Sequence, residues 1–588
     1  MTELDELARR RGFYFPSSET YGGVAGFYTY GPAGAALKAN VEDAWRERFS
    51  TEEGHVEIDA PTVMPEPVFE ASGHLDGFDD MLVRCPECAE SHRADHLVED
   101  NTDIEEAESF SPEEIAEVIA ENGLTCPNCG TELAGEPVED FNLMFETNIG
   151  PGSDRPGYLR PETAQGIFVE FPRLKEYARG QLPFGVTQIG RAYRNEISPR
   201  NAVVRTREFT QAELELFVSP GDPGPETSEF AGIEAPLYAA SEQGPNGEPE
   251  LRDIADAVSD GTIGSAYIGY YLAAAREWYE RVGLDMNRFR FRQHQAGERA
   301  HYAADCWDAE ADVSMPGEDP EWIELAGFAD RGNYDLSKHA EGGADDFTVF
   351  EAYDEPKVVE TATVDPDMSY LGPEFGGDAG AVAEALAELA ESDRSAFEGE
   401  EVEVDGEVDG ETHAVPVEKV NFAVEEVEEN GEHVTPNVIE PSFGVDRAVY
   451  AALVHSYEAD EIDGEERDVL RLPAEVAPTT VGVFPLMDKD GMGETARDLA
   501  AELRRAGLDA EYDDSGAIGR RYRRQDEVGT PFCVTVDYES LETDTVTLRE
   551  RDSTAQVRLP TEELVGTLAE LKAGRTDFEA LRERHDEV

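Results

Sequence analysis

Two neighbouring stretches of the chain combine guanidinium, carboxylate and aromatic side chains at spacings that suit nucleotide binding. The first, residues 190–196, carries Arg194 and Glu196, and the second, residues 206–213, carries Phe209. A guanidinium binds phosphate oxygens through paired hydrogen bonds, and an aromatic ring stacks on a base. The pattern predicts a nucleotide held beside a small cation, and the alternative is a surface hairpin with solvated charges. The region of the turn adds three further cations, Arg200, Arg205 and Arg207.

The spacing predicts that two β-strands position these side chains. In the first strand Gln188, Arg194 and Glu196 are an even number of residues apart, so a period of two places them on one face. The second strand has an apolar face formed by Ala212, Leu214, Leu216 and Val218, and an opposite face formed by Phe209, Gln211, Glu213 and Glu215. We therefore expect a sheet with one face in the core and the other at the nucleotide.

A third segment, residues 438–447, has the pattern of a strand that runs into a helix. Gly444 falls at the strand-to-helix turn, and Arg447 falls near the start of the helix. Taken alone, a glycine at such a turn has a simple structural capping role as its alternative. The apolar residues that follow recur at helical spacing and predict a buried helix face, namely Val445, Ala448, Val449, Ala452 and Leu453.

The order of these segments resembles motifs 2 and 3 of the class II aminoacyl-tRNA synthetases. The resemblance implies that Arg194 holds the ATP α-phosphate, that Glu196 reads the adenine amino group and that Phe209 stacks on the ring. It also implies that Arg447 contacts the γ-phosphate. The implied catalytic residues are Arg194, Arg205 and Arg447, whose fixed charges would stabilise a phosphoryl transition state. The implied ATP site consists of Arg194, Asn195, Glu196, Val204, Arg205, Thr206, Arg207, Glu208, Phe209, Glu324, Leu325, Gly444, Val445, Asp446 and Arg447.

Residues 160–166, 327–336 and 440–442 narrow the resemblance within class II. Together they resemble the archaeal and eukaryotic homodimeric glycyl-tRNA synthetases, which belong to class IIa. The resemblance implies that Glu162, Glu213 and Glu440 surround the glycine ammonium, because one cation relieves the repulsion among clustered carboxylates. The implied glycine site consists of Arg93, Glu162, Phe209, Thr210, Gln211, Ala212, Glu213, Arg331, Glu440, Pro441, Ser442, Phe443 and Gly444.

The activity that the resemblance implies is that of a glycine–tRNA ligase. Such an enzyme activates glycine with ATP and Mg²⁺, then transfers the glycyl group to the 3′ end of tRNA(Gly), and it acts as a homodimer. Catalysis would rest on positioning and charge stabilisation, since the glycine carboxylate itself is the nucleophile. Two alternatives are another class IIa specificity and a non-catalytic tRNA-binding paralogue on the same fold. The glutamate trio argues against the first, and the motif arginines argue against the second.

Acidic residues dominate the composition of the chain. In 588 residues, 130 Asp and Glu against 48 Lys and Arg give a formal net charge of −82. Disordered acidic tails have such charge, but an apolar fraction of 40% and many periodic segments argue for folded domains. We favour adaptation to molar salt in a halophile-like source. At about 1 M salt the Debye length is roughly 3 Å, so repulsion between this surface and tRNA phosphates would be largely screened.

Four of the six cysteines form two CxxC pairs, which predict a structural Zn²⁺ with four thiolate ligands, Cys85, Cys88, Cys126 and Cys129. The alternative is four reduced buried thiols. His92 and His96 follow the first pair and could also be ligands, although four cysteines suffice. The chain has no apolar run of about 18 residues, and its amino terminus lacks a signal-peptide core. The sequence therefore predicts a cytoplasmic protein without a membrane partner.

The elements together predict an α+β protein. We expect a class II synthetase antiparallel sheet with flanking helices, a zinc-ribbon-like insertion and a C-terminal α/β anticodon-binding domain. The expected divisions are catalytic core with motif 1 (1–84), zinc-ribbon-like insertion (85–135), core with motif 2 (136–218), surface and helical insertion (219–290), core (291–345), acidic insertion of unassigned role (346–436), core with motif 3 (437–472) and anticodon-binding domain (473–588).

Three weaker patterns have two interpretations each. Residues 29–65 suit a turn, a helix and a strand, which form motif 1 and the dimer interface in the resembled family, or a helix packed on its own core. The basic run 519–524 suits contacts with RNA bases, which we favour, or a helix that offsets nearby acidic residues. A set with helical spacing suits either metal ligation or a solvated helix face, which we favour: His301, Asp305 and Asp308.

Overall fold

The computed structural model describes residues 3–588 apart from 103, 105, 106, 108, 109, 153, 154, 200, 201, 245, 246, 296–304, 406–411 and 463. The chain forms two compact units. One consists of Met1–Phe347 and Thr435–Val588, and the other of Thr348–Val434. None of the helices in the described ranges has the length and apolar character that a membrane crossing requires.

The helices and strands are numbered in chain order. The helices are α1 Glu3–Arg11, α2 Pro32–Arg46, α3 Glu66–Ala71, α4 His74–Gly77, α5 Ala94–Glu99, α6 Pro112–Asn122, α7 Ala164–Tyr177, α8 Ile254–Ser259, α9 Ala266–Arg281, α10 Tyr334–Gly342, α11 Met368–Phe375, α12 Ala379–Ser392, α13 Val445–Ser456, α14 Met492–Arg505, α15 Ile518–Val528, α16 Tyr538–Thr543, α17 Leu564–Lys572 and α18 Phe578–Arg582. The strands are β1 Tyr14–Pro16, β2 Tyr28–Tyr30, β3 Val56–Glu57, β4 Val63–Pro65, β5 Asp79–Arg84, β6 Ser91–Arg93, β7 Val138–Asn142, β8 Phe145–Asn148, β9 Pro156–Leu159, β10 Phe184–Tyr193, β11 Glu208–Val218, β12 Glu234–Tyr238, β13 Glu250–Asp253, β14 Phe289–Gln293, β15 Cys306–Asp312, β16 Trp322–Gly332, β17 Val349–Thr363, β18 Glu401–Asp405, β19 Thr412–Pro416, β20 Ala423–Val434, β21 Asn437–Gly444, β22 Tyr457–Ile462, β23 Glu465–Leu470, β24 Val481–Pro485, β25 Ala510–Tyr512, β26 Phe532–Val536, β27 Thr545–Glu550, β28 Gln556–Pro560 and β29 Asp586–Glu587.

Nine strands of the described chain form the central sheet, in the order β13-β12-β14-β15-β16-β21-β11-β10-β3. Every neighbouring pair from β14 to β10 is antiparallel. Across the middle of this sheet Glu213 on β11 is opposite Ser442 on β21, and Ser442 is opposite Gly327 on β16. Because directly paired residues point to the same face, the sheet brings three distant segments to one surface.

The predicted alternation of β11 is confirmed. Its apolar residues are at most 5% exposed and lie in the main hydrophobic core, in which the buried faces of α2, α9 and α13 also lie: Ala212, Leu214, Leu216 and Val218. Helix α13 begins directly after β21 and buries the residues that the helical spacing predicted. The other face of β11 is thereby left for polar side chains.

Two predicted strands are wrong in extent. Strand β10 ends at Tyr193, so Arg194 and Glu196 lie beyond it, and the Arg194 backbone N–H donates to the Arg207 carbonyl instead. Residues 55–65 form two short strands of different sheets, β3 and β4, because prolines within this segment remove backbone donors. The helix between 29 and 65 is confirmed as α2, and its apolar face packs on the chain's own core.

The C-terminal region forms a separate sheet with its own core. The strand order is β25-β24-β26-β27-β28-β29, with parallel pairs around β24 and antiparallel pairs beyond β26. Helix α14 buries its predicted apolar face, and the chain turns after it at Gly507 with a φ of 85°. This region therefore has the predicted alternation of strands and helices.

The unit Thr348–Val434 contains two antiparallel strand pairs, β17 with β20 and β18 with β19. Helix α12 and strands β18 and β19 contribute to a small apolar core around Leu386 and Val402. This acidic segment thus contains both helices and paired strands. Most side chains of β20 are exposed, in keeping with their acidic character.

Candidate active site

A cavity of about 600 Å³ opens on the polar face of the central sheet. Its walls come from β11, from the loop before β11, from β16 and from the junction between β21 and α13. Most of the predicted ATP residues line it, and the glycine-site residues Thr210, Gln211 and Ser442 line it as well. The predicted ATP residues among them are Arg194, Glu196, Val204, Arg205, Thr206, Phe209, Glu324, Leu325, Gly444, Asp446 and Arg447.

Arg194 is held at the cavity between two aromatic rings. Its guanidinium carbon lies 5.5 Å from the ring centre of Phe209 and 5.3 Å from that of Phe78. Its Nε donates to the Pro161 carbonyl at 3.3 Å. A guanidinium held in this way keeps donors for an anionic ligand and loses little conformational entropy when it binds.

Arg447, near the start of α13, also lines the cavity and is fixed by backbone carbonyls. Its Nε donates to the Val204 carbonyl at 3.1 Å, and its Nη1 donates to the Glu324 carbonyl at 2.8 Å. The Glu324 carboxylate is 3.1 Å away, and Arg447 is the main cause that holds the pKa of Glu324 below its ordinary value. Arg447 thus brings together the loop before β11 and strand β16.

A buried ion pair between Lys38 and Asp446 supports the cavity wall, and Asp446 itself lines the cavity. Lys38 of α2 donates to Asp446 Oδ1 and to Thr210 Oγ1, both at 2.6 Å. The Thr210 backbone N–H donates to Asp446 Oδ2 at 2.6 Å, and the Tyr30 hydroxyl donates to Asp446 Oδ1 at 2.7 Å. Asp446 directly precedes Arg447, and Thr210 directly follows Phe209, so this network ties two segments that line the cavity to helix α2.

Glu213 lies at the end of the cavity near Ser442 and is almost completely buried. One carboxylate oxygen accepts from the Ala164 backbone N–H at 2.6 Å and from the Thr163 hydroxyl. The other accepts from the Ser442 hydroxyl at 2.7 Å. The start of α7 and strand β21 therefore fix the orientation of this carboxylate.

Glu162 and Glu440 complete a group of carboxylates around Glu213. Glu162 accepts from the Gln165 amide at 2.8 Å and lies 3.5 Å from the His74 imidazole. Glu440 accepts from Nη1 of Arg331, whose Nε and Nη2 donate to the two oxygens of Asp335 at 2.7 and 2.8 Å. The predicted glycine residues Glu162, Glu213, Glu440, Arg331 and Ser442 thus converge.

The pKa values of the three glutamates diverge. Although burial opposes ionisation, His74 and Arg331 hold the pKa of Glu162 below its ordinary value. Burial, with a contribution from Glu162, raises the pKa of Glu213. Burial raises the pKa of Glu440 to about 8, against the opposing effect of Arg331. Buried like charges cannot all be ionised without a cation, so the arrangement suits one ammonium ligand.

Comparison with known proteins decides the family. Residues 480–571 match the model of the anticodon binding domain. The chain is 49% identical to the glycine–tRNA ligase of Methanothrix thermoacetophila, with 98% of each chain covered. It is 46% identical to that of Methanothermobacter thermautotrophicus (96% of this chain and 98% of the relative) and 44% identical to that of Methanocaldococcus jannaschii (97% and 98%). The chain belongs to the glycine–tRNA ligase family.

Some predicted site residues of this glycine–tRNA ligase family member contribute no side chain to the cavity. Ala212, Phe443 and Val445 are buried in the main core, because strand alternation and the helix start turn them away from the polar face. Arg207 donates to the Glu196 and Ala25 carbonyls and so supports the wall. The remaining predicted residues Asn195, Glu208 and Pro441 lie next to lining residues along the chain.

Arg93 is placed among carboxylates that are outside the glycine set. It forms ion pairs with Asp80 at 3.3 Å and with Asp95. Burial lowers the pKa of Arg93, but Asp95, Asp80 and Glu196 outweigh that effect and raise the pKa above its ordinary value. Its assignment to glycine binding remains a prediction.

The helical interpretation of residues 301–308 is wrong for residues 306–308, which belong to a strand. Strand β15 begins at Cys306, and Asp305 accepts from the Gly264 N–H and the Gln293 amide, so Asp305 has structural partners. Asp308 is paired with His294 at 2.7 Å, and one ligand atom from each of His294, Cys306 and Asp308 lies within 4.8 Å of the others. His301 and Arg200 lie outside the described residues.

The two CxxC pairs converge as the sequence predicted for a metal site. Cys85 Sγ lies 3.5 Å from Cys129 Sγ, and Cys88 Sγ lies 3.6 Å from Cys126 Sγ. Both knuckles turn through a residue of positive φ, Ala89 and Gly130. Four thiolates at these separations fit a tetrahedral Zn²⁺. His92 Nε2 lies 3.2 Å from Cys126 Sγ, where it can stabilise a thiolate from outside the set of four.

Four residues of the site were not singled out by sequence reasoning: Phe78, Lys38, His74 and Asp335. A signal existed for Lys38, since it follows Leu37 on an otherwise apolar helix face. A buried lysine needs a carboxylate partner, and that requirement points to an acidic residue elsewhere. Phe78 and His74 carry no comparable pattern, because they reach the site only through the fold of residues 66–84.

Proposed function

We propose that this member of the glycine–tRNA ligase family activates glycine with ATP and Mg²⁺ at the cavity of the central sheet and transfers the glycyl group to the 3′ end of tRNA(Gly). One observation carries the proposal. A cavity lined by three arginines lies next to a buried carboxylate cluster, and Ser442 belongs to both. The first suits the phosphates of ATP, and the second suits the ammonium group of an amino acid.

At the ATP end, we assign Arg194 to the α-phosphate and Phe209 to the adenine ring. Arg205 and Arg447 would neutralise the β- and γ-phosphates. The guanidinium groups of Arg194 and Arg447 are held by backbone carbonyls before the ligand binds, so charge that develops in the transition state meets fixed partners. Mg²⁺, when bound, would neutralise phosphate oxygens, and the Glu324 carboxylate at the cavity is suited to hold it.

At the glycine end, Glu162, Glu213 and Glu440 would bind the ammonium group. The glycine carboxylate oxygen then attacks the α-phosphorus, and the bond to the pyrophosphate oxygen breaks. In the second step a ribose hydroxyl of the tRNA attacks the glycyl carbonyl carbon, and AMP leaves with the electron pair of the mixed anhydride. The chain supplies orientation and charge rather than a nucleophile.

The decisive experiment is amino-acid-dependent ATP–pyrophosphate exchange, measured over all twenty amino acids in molar KCl. We expect exchange with glycine alone. Exchange with another amino acid would favour a different specificity on the same fold. An absence of exchange with any amino acid, together with retained tRNA binding, would favour a non-catalytic tRNA-binding paralogue.

Further assignments belong to the same proposal. We assign the antiparallel sheet to the class II synthetase type, a structural Zn²⁺ to the four cysteines, and a homodimer to the assembly. The acidic composition supports adaptation to high salt, which screens repulsion from tRNA. Analytical ultracentrifugation in 2 M KCl would test the dimer, and a chain that sediments as a monomer at assay concentrations would contradict it.

RNA contact by the basic run 519–524 rests on fewer residues than the sequence suggests. Arg521 is buried and donates to three carbonyls, and Arg524 is paired with Asp513. Arg520 is exposed on the same helix. We therefore assign the contact with anticodon bases to Arg520 and its neighbours on the exposed face of α15.

A further inference from the structure

Glu215 is a buried carboxyl that the proposed reaction does not use. It lies on β11 two residues after Glu213, so both side chains emerge on the polar face of the strand. Its relative exposure is 0%. Within the described part of the chain neither of its carboxyl oxygens has a hydrogen-bond partner. A buried polar group without a partner is rare in folded proteins and calls for a physical explanation.

The neighbouring carboxyls differ from Glu215 in this respect. Glu213 accepts from a backbone N–H and two hydroxyls, and Glu440 accepts from Arg331. Glu162 accepts from the Gln165 amide, and Asp335 accepts two bonds from Arg331. Each of these carboxyl groups accepts a hydrogen bond from at least one donor. Glu215 is the exception in the described part of this cluster.

The charges that act on Glu215 come from three other elements besides its own strand. Glu440 on β21, Arg331 on β16 and Asp335 on α10 act on it, and Glu213 acts from β11. Burial comes first and raises the pKa of Glu215 well above its ordinary value, and Glu440 adds to this effect. Arg331 opposes it, but its donors are already directed to Glu440 and Asp335. An ionised Glu215 would therefore be a buried charge without compensation.

We propose that Glu215 is a neutral carboxylic acid beneath the glycine pocket and that it limits the negative charge offered to the ligand. The inference rests on the proposed function of this site. If Glu215 were ionised, it would add a further negative charge to a cluster in which Glu162, Glu213, Glu440 and Asp335 already share one guanidinium, that of Arg331.

The test compares Glu215→Gln with Glu213→Gln, a matched change two residues earlier on the same strand. An amide has the shape of a neutral acid, so we expect Glu215→Gln to change the KM for glycine by less than about threefold. Glu213→Gln should raise that KM by roughly a hundredfold, because it removes an ionised partner of the ammonium. An equal rise in both variants would overturn the proposal.

An activity-independent measurement keeps this inference separate from the proposed function. We expect infrared difference spectra, recorded without substrates at neutral pH, to show that Glu215→Gln lacks one carbonyl stretch of a protonated carboxyl that the wild type has. Loss of a carboxylate band instead would overturn the neutral state even if the enzyme uses glycine. If Glu215→Gln does not fold, Glu215→Met replaces it in both measurements, and a rise above tenfold in its KM for glycine would count against a neutral residue. A wild-type chain without glycine-dependent exchange would refute the proposed function and leave the infrared result valid.

Discussion

The two ends of the site on the central sheet differ in how far their charged groups are exposed to solvent. At the ATP end, arginines and acidic residues both line the cavity. Some of these charged groups are partly open to solvent: the Arg447 side chain is 28% exposed and its partner Glu324 is 53% exposed. At the glycine end the charged groups are mainly carboxylates, and Glu213 and Glu440 are 1% and 8% exposed. A polyanion with several phosphates gains enough from exposed cations. A ligand with one ammonium must be recognised where water does not compete, so its partners are buried.

The largest effect should come from removing the guanidinium at the ATP end. We expect Arg194→Ala to lower kcat/KM for ATP in pyrophosphate exchange by roughly 10²- to 10³-fold, because it removes a fixed donor to the reacting phosphate. The unfolding midpoint should change little. Arg191→Ala is the control, since that arginine lies on β10 with a side chain that is 43% exposed. Near-normal exchange by Arg194→Ala would refute the role that we assign to it.

The next largest effect should come from breaking the buried Lys38–Asp446 ion pair that supports the ATP end. Lys38→Met leaves Asp446 buried without its cation, so we expect a loss of about 3–5 kcal/mol in the free energy of unfolding. We also expect a lower kcat and a higher KM for ATP, while the KM for glycine changes less. Adding Asp446→Asn in the same chain should restore part of the stability, because the uncompensated charge is gone.

Lys338→Met is the matched control for Lys38, since Lys338 is paired with Glu341 at a position that is 39% exposed. Exposed pairs contribute about 0–1 kcal/mol, so this change should be nearly silent. Equal losses in the two lysine variants would show that the ATP end does not rely on the buried pair.

A pH titration sharpens the glycine end of the comparison. Burial raises the pKa of Glu440 from an ordinary 4.5 to about 8, so the folded chain holds this proton more tightly than the unfolded chain does. The stability that Glu440 contributes is therefore complete below about pH 4.5 and is lost as the pH rises to about 8, on the order of a few kcal/mol. Glu440→Gln should remove this part of the pH dependence of unfolding.

Bound glycine should lower the raised pKa of Glu440, because the ammonium group of glycine favours the ionised carboxylate. Below pH 8 we expect glycine binding to release a proton and the KM for glycine to fall by up to tenfold per unit rise in pH. The KM for ATP should not follow the same slope. A KM for glycine that is independent of pH between 6 and 8 would contradict the assignment of Glu440 to the ammonium.

The smallest effect on catalysis should come from the cysteine cluster, which lies outside both ends. We expect Cys88→Ser to release one equivalent of Zn²⁺, measured by mass spectrometry of the metal, with less than about a tenfold change in exchange. The reason is that a tetrahedral site of four thiolates has no open position for chemistry. Cys533→Ser is the control and should keep the metal. Full retention of zinc by Cys88→Ser would contradict the assignment of Cys88 as a zinc ligand.

Much of the local structure followed from the sequence, and the failures share a cause. Alternation along β11 and helical spacing along α13 are local properties, and burial of one face enforces both. The predicted extent of β10 was wrong because the chain leaves the sheet at Asn195, whose backbone N–H donates to the Leu143 carbonyl. No local sequence pattern indicates that partner. The same holds for Asp305 and Asp308, whose spacing suits a helix although residues 306–312 form a strand between two others.

The sequence by itself determined which segments carry chemistry, their order, and the faces of the strands and helices that hold them, because residue type and spacing control local structure. Only the tertiary structure decided the partners. Lys38 and Asp446 are 408 residues apart, and Glu213 and Ser442 are 229 residues apart, yet each pair is within hydrogen-bonding distance. The tertiary structure also left Glu215 without a hydrogen-bond donor, within the described residues, among carboxyl groups that have one. Desolvation and pairing depend on what the fold places nearby, and these two terms set the charge of the site.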